Sequence, residues 1–190
     1  MSVYDLFENI LYFITRQKRP DIASLIINDW NILRPGDWII DVGAGRGELA
    51  LTLLKKLNAH FVLSEIDKEK LASIPPHPFI SLNLTNGIHL DFPDNYFDTA
   101  FCINSVHHFE DQETSLKEIR RVLKKGGKLL IIEYEKESLL TLFYRFAARL
   151  QKRHCRFFSL NGLAAYLRSL CFKTRPFRIN SFQIALIAEK

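Results

Sequence analysis

Cysteine is scarce: three residues in 190, Cys102, Cys155 and Cys171, with no CxxC pair among them. That odd, scattered set excludes a disulfide framework or a zinc site and suits a reducing compartment. Long apolar runs are also missing, and nothing approaches the roughly 18 consecutive apolar residues of a membrane-spanning helix. The opening MSVYDLFENI lacks a basic stretch followed by an apolar one, so it does not read as a secretion signal. The expected location is therefore the cytoplasm. Repeats and low-complexity tracts are absent. One segment lacks acid altogether: residues 141–178 hold nine Lys or Arg and no Asp or Glu. The other 17 basic residues share the remainder with all 21 acidic ones, so the charge is segregated.

What is present is the composition of an ordinary globular chain, 47% hydrophobic and 25% charged. A chain of 190 residues fits one domain that buries roughly 70% of its unfolded surface. We expect a single domain over residues 1–190, with residues 1–33 as a helical cap. There, Leu6, Ile10 and Phe13, and Phe7, Leu11 and Ile14, recur at helical spacing, and residues 22–32 read as a second helix. From Trp38 short apolar runs alternate with helical stretches. WIIDV (38–42), HFVLSE (60–65), FISLNL (79–84), FDTAFCINSV (97–106) and KLLIIEY (128–134) read as strands. A helix is expected over 45–57, another up to Ser73, and a third from an Asp111 cap to the pair Gly126 and Gly127. Steady alternation of this kind implies parallel strands with crossover helices, an open α/β sheet. Helices over 138–151 and 159–170 lead into FKTRPFRIN and SFQIALIAEK, which have too few residues between them for a parallel crossover and should pair antiparallel.

The chemical signal lies in Asp41-Val-Gly-Ala-Gly-Arg-Gly47-Glu48, directly after a strand and opening a helix. Glycines in such a turn let a ligand approach the backbone. The spacing is GxGxG, and Glu48 stands where a dinucleotide fingerprint has its third glycine. An acid there repels a pyrophosphate, and Asp41 suits a ligand that carries an amine. Glu65, ending the second strand, can accept hydrogen bonds from both ribose hydroxyls, with Ile66 packing on a base. A nucleoside joined to an amino acid without phosphate is S-adenosylmethionine.

In this order DVGAGRGELA, FVLSEID, DFPDNYFD, INSVHHFED and KKGGKLLIIE resemble the successive signature segments of class I S-adenosylmethionine-dependent methyltransferases. The likeness is strongest to the small-substrate subgroup that contains the quinone-biosynthesis enzymes, and it runs from Trp38 to about Glu135. Five segments in register are far more specific than one. The resemblance implies a doubly wound, Rossmann-like sheet of seven mostly parallel strands, order 3-2-1-4-5-7-6, strand 7 antiparallel, with helices on both faces. It implies S-adenosylmethionine as cofactor and S-adenosylhomocysteine as product. On this likeness Asp41, Gly43, Ala44, Gly45 and Gly47 form the methionine-side loop, and Glu65 and Ile66 the ribose and adenine contacts. Asn83, followed by Leu84, stands where family members often have an adenine-binding Asp; Asn86 takes that place if the gap is set differently. Ile103 and Asn104 resemble positions lining the methionine and methyl group, and Tyr4 is the expected lid contact.

Methyl transfer from a sulfonium is an in-line displacement of an already activated group, so positioning dominates. A base is needed only where the acceptor must lose a proton. His108 resembles a pocket-mouth histidine that could serve; a purely structural role is the competing reading. Its neighbour His107 is expected to take no part. No Asn/Asp-Pro-Pro-aromatic sequence, Pro-Cys pair or carboxylate cluster follows the fourth strand, so amino-group methylation, carbon-5 pyrimidine chemistry and metal assistance are disfavoured. The remaining expectation is methylation of a small or lipid-like acceptor at oxygen or carbon. Residues 139–156 read as an amphipathic helix, with Leu139, Phe143, Phe146 and Leu150 on one face and Arg145, Arg149, Lys152 and Arg156 on another. Its plainest role is a cover over the sheet; next comes an anionic membrane surface, then RNA. An RNA methyltransferase using 141–178 and a non-catalytic cofactor-binding partner are the alternative functions.

Overall fold

A parallel strand at the middle of a sheet is covered on both faces, which is why Ile39, Ile40, Asp41 and Val42 are buried without alternation. They belong to β1 (Trp38–Val42) in a computed structural model that describes residues 21–150 and 155–190. With β2 (His60–Glu65), β3 (Ile80–Leu84), β4 (Phe97–Ile103), β5 (Leu123–Tyr134), β6 (Lys173–Arg178) and β7 (Gln183–Glu189) it forms one seven-stranded sheet. The order is β3-β2-β1-β4-β5-β7-β6. Neighbours from β3 to β5 run parallel, and β7 lies antiparallel to both β5 and β6. The Rossmann-like order implied by the family resemblance is the one observed.

Among the described residues, the α-helices of five residues or more are α1 (Glu48–Leu54), α2 (Lys68–Ala72), α3 (Gln112–Val122), α4 (Leu139–Leu150) and α5 (Leu160–Ser169). Consecutive residues of β1 point to opposite faces, so each serves a different core. Ile39 packs with Leu53 of α1 and with Ile26, Phe61, Phe101 and Leu130. Ile40 packs with Leu116 and Ile119 of α3 and Leu163 and Leu167 of α5. Cys102 is buried in mid-strand.

Three boundaries differ from expectation. The segment at 22–32 is α-helical only over Ile22–Ser24; the chain then widens, with Trp30 N donating to Leu25 O, until Asn31 takes φ +48°. Strand β4 stops at Ile103 rather than continuing to Val106, because Asn104 adopts φ +51° and Val106–His108 make a tight helical turn. Asparagine tolerates this left-handed conformation better than most side chains. The third helix ends at Val122, four residues before the Gly pair. Leu123 is already extended and pairs with Phe97, and Lys190 Nζ donates to the carbonyls of Arg121 and Leu123. The expected first helix and residues 151–154 lie outside the described residues, and so do residues 1–20 of the cap expected over 1–33.

Arg121 of α3 clasps the loop before β4. Its guanidinium donates to both Glu118 oxygens, to Asp94 Oδ1 and to the carbonyls of Leu90 and Phe92, at 2.8–2.9 Å. The site is partly exposed, so the charge pairs are screened and the carbonyl bonds matter most. Arg121→Ala should lower unfolding free energy by about 1–2 kcal/mol in a denaturant titration. A loss below the error of such a titration would show that the loop holds its shape without the clasp.

Candidate active site

The sheet changes direction at β1. The chain leaves it for β2 and β3 on one side and for β4 and β5 on the other, which opens a crevice at the carboxyl ends of β1 and β4. The glycine turn fills its floor. Gly43 N and Ala44 N both donate to Ser64 O, at 2.8 and 3.1 Å, tying the turn to the end of β2. Gly43 has φ +80°, and a Cβ there would come 2.4 Å from Ser105 Cβ. At Gly47, φ +70°, a Cβ would meet Leu63 Cδ1 at 2.8 Å. Gly47 thus allows the close approach of α1 to β2 that the dinucleotide fingerprint assigns to its third glycine one position later.

Two acids shape the field. Asp41 is buried, its Oδ1 has no hydrogen-bond partner among the described residues, and burial followed by the charge of Glu65 pushes its pKa up to about 7. Glu65 is also buried but well served. Its Oε2 accepts from Gly45 N at 2.9 Å, and its Oε1 from Ile66 N and Asp67 N at 2.9 and 3.2 Å. The carboxylate therefore buckles the glycine turn to the tip of β2, and Oε2, which accepts only once, still has a lone pair for a hydroxyl. Ile66 beside it is 69% exposed, an aliphatic side chain with an unpacked face.

Two cavities meet over this turn and share Gly43, Gly45, Lys70, Asn104 and His108. The first, about 570 Å³, adds Asp41, Ala44, Ile103, His107, Tyr134 and Tyr144. The second, about 430 Å³, adds Glu65, Ile66, Thr85, Asn86 and Gly87. Of the residues singled out from sequence, Asp41, Gly43, Ala44, Gly45, Glu65, Ile66, Ile103, Asn104 and His108 line one or both. Gly47 acts behind the wall. Asn83 lines neither: its Nδ2 donates to Ser64 Oγ at 3.2 Å, and Leu84 projects into solvent. Asn86, the alternative position, lines the second cavity. Tyr4 lies outside the described residues.

Sequence reading missed four wall residues. Thr85 and Gly87 come from the loop after β3, where Gly87 N donates to Thr85 Oγ1. Tyr134 and Tyr144 reach the site from β5 and α4. His107 was expected to be a bystander, yet its Nδ1 lies 2.6 Å from Glu133 Oε2 in a pair that is 2% exposed on each side. Glu133 is 26 residues away, on β5, and nothing in local spacing announces the contact. His108 Nδ1 lies 3.8 Å from Cys155 Sγ.

The donor set fits a cationic, phosphate-free ligand. An orphaned buried carboxylate oxygen at Asp41 calls for an ammonium, and the Glu65–Ile66 corner offers acceptors beside an apolar face. A pyrophosphate would sit among Asp41, Glu48 and Glu65. Among the described residues no group of three His, Cys, Asp or Glu side chains is arranged to hold a metal ion.

Comparison with known proteins agrees with this geometry. Residues 40–131 match the family described as Methyltransferase domain. A ubiquinone/menaquinone biosynthesis C-methyltransferase, UbiE, of Rickettsia bellii is 38% identical over 122 residues, 57% of this chain and 49% of that protein. A 2-phytyl-1,4-naphtoquinone methyltransferase of Nostoc sp. is 32% identical over 118 residues, 57% of this chain and 52% of that protein. The chain thus spans about half the length of these relatives. A crystal structure of an S-adenosylmethionine-dependent methyltransferase from Aquifex aeolicus superposes with a TM-score of 0.69 at 16% identity, covering 87% of this chain and 88% of that one, a likeness of fold alone. The signature segments, the matched domain and the strand order agree: residues 40–131 match a methyltransferase domain, and the sheet order is the one the resemblance to class I S-adenosylmethionine-dependent methyltransferases implies.

Proposed function

We propose that this chain transfers a methyl group from S-adenosylmethionine to oxygen or carbon of a small, lipid-like aromatic acceptor related to the quinols, and that it works in the cytoplasm. The observation that carries this reading is the pair of joined cavities: one with an acid and an apolar face for an adenosyl group, the other running from an orphaned buried acid to a wall of tyrosines and histidines. When bound, the cofactor supplies a methyl group already activated by a positive sulfur. Asp41 pairs with its amine, Glu65 accepts from its ribose, and Ile66 lies under its base. Asn104 and Ile103 bound the space between cofactor and acceptor, and Tyr134 and Tyr144 close the acceptor end against water. Orientation of this kind supplies much of the rate for an in-line displacement.

The lipid-like part of the reading rests on α4. Its buried side is Thr141, Tyr144, Ala147 and Ala148. The row Leu139, Phe143, Phe146 and Leu150 is 75, 63, 65 and 66% exposed, so the helix does not turn its greasiest face to the sheet as a plain cover would. Four large apolar side chains beside Arg145 and Arg149 suit contact with a membrane surface that holds the acceptor. No helix among the described residues is long and apolar enough to cross a membrane. RNA is a weaker fit, because Arg145, Arg149 and Arg156 line a groove together with Glu110, Asp111 and Glu113. Phe143→Ser with Phe146→Ser should reduce sedimentation with anionic vesicles by at least about tenfold, since each exposed Phe can contribute about 1.5–3 kcal/mol on burial. Retained sedimentation would remove this face from membrane contact.

The function is tested by calorimetric titration with S-adenosylmethionine, followed by transfer of labelled methyl to reduced 2-phytyl-1,4-naphthoquinone in vesicles and, in parallel, to RNA. Cofactor binding with label in the quinol is expected. Label in RNA, or binding with no transfer to either, would replace this reading by the RNA enzyme or the non-catalytic partner. Glu65→Ala should weaken cofactor binding by about 1–3 kcal/mol through lost charged hydrogen bonds. Unchanged affinity would show that the ribose is held elsewhere.

A further inference from the structure

We propose that His107, held by Glu133, is the catalytic base that takes the acceptor's acidic proton, and that the acceptor is therefore an aromatic hydroxyl compound, a phenol or hydroquinone. This rests on the methyltransferase reading of the same cavity. Both carboxylate oxygens of Glu133 serve one residue: Oε2 lies 2.6 Å from His107 Nδ1, and Oε1 accepts from His107 N at 3.3 Å. A carboxylate on Nδ1 selects the tautomer with the proton there, leaving Nε2 with its lone pair. That Nε2 is buried and has no hydrogen-bond partner among the described residues. An unserved nitrogen in a buried, carboxylate-backed histidine is unfavourable for folding alone, and it is the arrangement a general base requires.

The ring cannot swing away. It stacks on Phe157 with centroids 4.5 Å apart and meets Tyr144 edge-on at 5.8 Å. It lines the first cavity beside Ile103, Asn104, Tyr134 and Tyr144, whereas Glu65 lines only the second. The titratable groups around it are Glu133 and Tyr134 from β5, Tyr144 from α4 and His108 from its own turn, whose ring centroid is 4.0 Å away. Glu133 contributes the carboxylate that accepts from the ring's Nδ1.

In the step, Nε2 takes the proton of the acceptor hydroxyl. The electron pair left on oxygen, or shifted into the ring to a neighbouring carbon, forms the bond to the methyl carbon. The methyl–sulfur bond breaks with its pair staying on sulfur, which passes from a cationic sulfonium to a neutral thioether. The imidazolium faces Glu133 until the product leaves, and then gives its proton to water. For attack from carbon, the proton lost by that ring carbon restores the hydroxyl's place in the balance, so one proton leaves per turnover.

The test uses the whole chain labelled with ¹⁵N histidine, with His107 assigned through His107→Gln and His108→Ala. Expected at about pH 7.5 is a proton on Nδ1 and a bare Nε2, with the single tautomer lost in Glu133→Gln. A proton on Nε2 at every pH from about 6 to 9 overturns the proposal. A second readout is the single-turnover rate with reduced 2-phytyl-1,4-naphthoquinone. His107→Gln should slow transfer by about 10²–10⁴-fold, with cofactor affinity within twofold of the parent and the deficit shrinking as pH rises toward ionisation of the free acceptor. A variant within threefold of the parent at all pH overturns the proposal. Should the parent fail to bind S-adenosylmethionine, the methyltransferase reading falls, while the tautomer still decides whether His107 is held as a base.

Discussion

Gly43→Ala is expected to destabilise the chain by roughly 2–5 kcal/mol and to abolish measurable cofactor binding. Two costs combine. A left-handed conformation costs an ordinary residue about 1–2 kcal/mol, and Gly43 sits at φ +80°. Steric overlap adds about 1–3 kcal/mol, because the new Cβ would lie 2.4 Å from Ser105 Cβ. Neither side can yield cheaply. Ser105 Oγ donates to Val42 O at 2.7 Å, and Gly43 N and Ala44 N are both tied to Ser64. Gly45→Ala is the control. Gly45 also has a positive φ, +58°, but open space where its Cβ would go, so it should cost only about 1–2 kcal/mol in denaturant unfolding. Ser105→Gly introduced with Gly43→Ala should recover part of the loss by removing the overlap. Equal costs at Gly43 and Gly45 would mean that the close approach to Ser105, in the turn after β4, carries no energetic weight.

Asp41→Asn is expected to remove a pH dependence from both stability and cofactor affinity. Burial and the charge of Glu65 raise this carboxyl to about 7, against an ordinary value of 3.8. Between those values the folded chain keeps a proton that the unfolded chain has released. Stability of the ligand-free protein therefore falls as pH rises from about 4 to 7 and levels off above. At about 1.4 kcal/mol per pH unit, this amounts to on the order of 4 kcal/mol across the window. Affinity should run the other way. An ammonium pairs with the ionised carboxylate, so cofactor binding should strengthen through the same range, by up to about tenfold per pH unit near pH 6. In Asp41→Asn both slopes should vanish, ligand-free stability at about pH 8 should exceed the parent's, and affinity there should fall at least about tenfold. A parent whose affinity is flat from about pH 5.5 to 7.5 would show that Asp41 does not meet the amine.

The cofactor side was legible because its residues are nearly contiguous. The turn from Asp41 to Gly47 follows its strand directly, and Glu65 ends the next one, so local order alone brings them together. The acceptor side was not. His107, Glu133, Tyr134 and Tyr144 come from a turn, a strand and a helix, and they meet only because β5 pairs with β4 and Tyr144 of α4 packs with Tyr134 of β5. Asn83 lies outside both cavities because of register: it pairs with Ser64 of β2, whereas Asn86, beyond the strand, lines the second cavity. The helix end at Val122 was misjudged because a strand pairing, Leu123 with Phe97, overrode the glycine stop signal four residues on.

Sequence by itself determined the alternation of strands and helices, the glycine turn and the acid at the tip of β2, since each depends on residues close in the chain and on periods of two and 3.6. Only the tertiary structure decided that His107 is clasped by Glu133, that Asp41 Oδ1 is buried with no hydrogen-bond partner among the described residues, and that the apolar row of α4 faces outward. Those properties are relations between distant segments. They depend on what is excluded from water once the sheet closes, which no local pattern encodes.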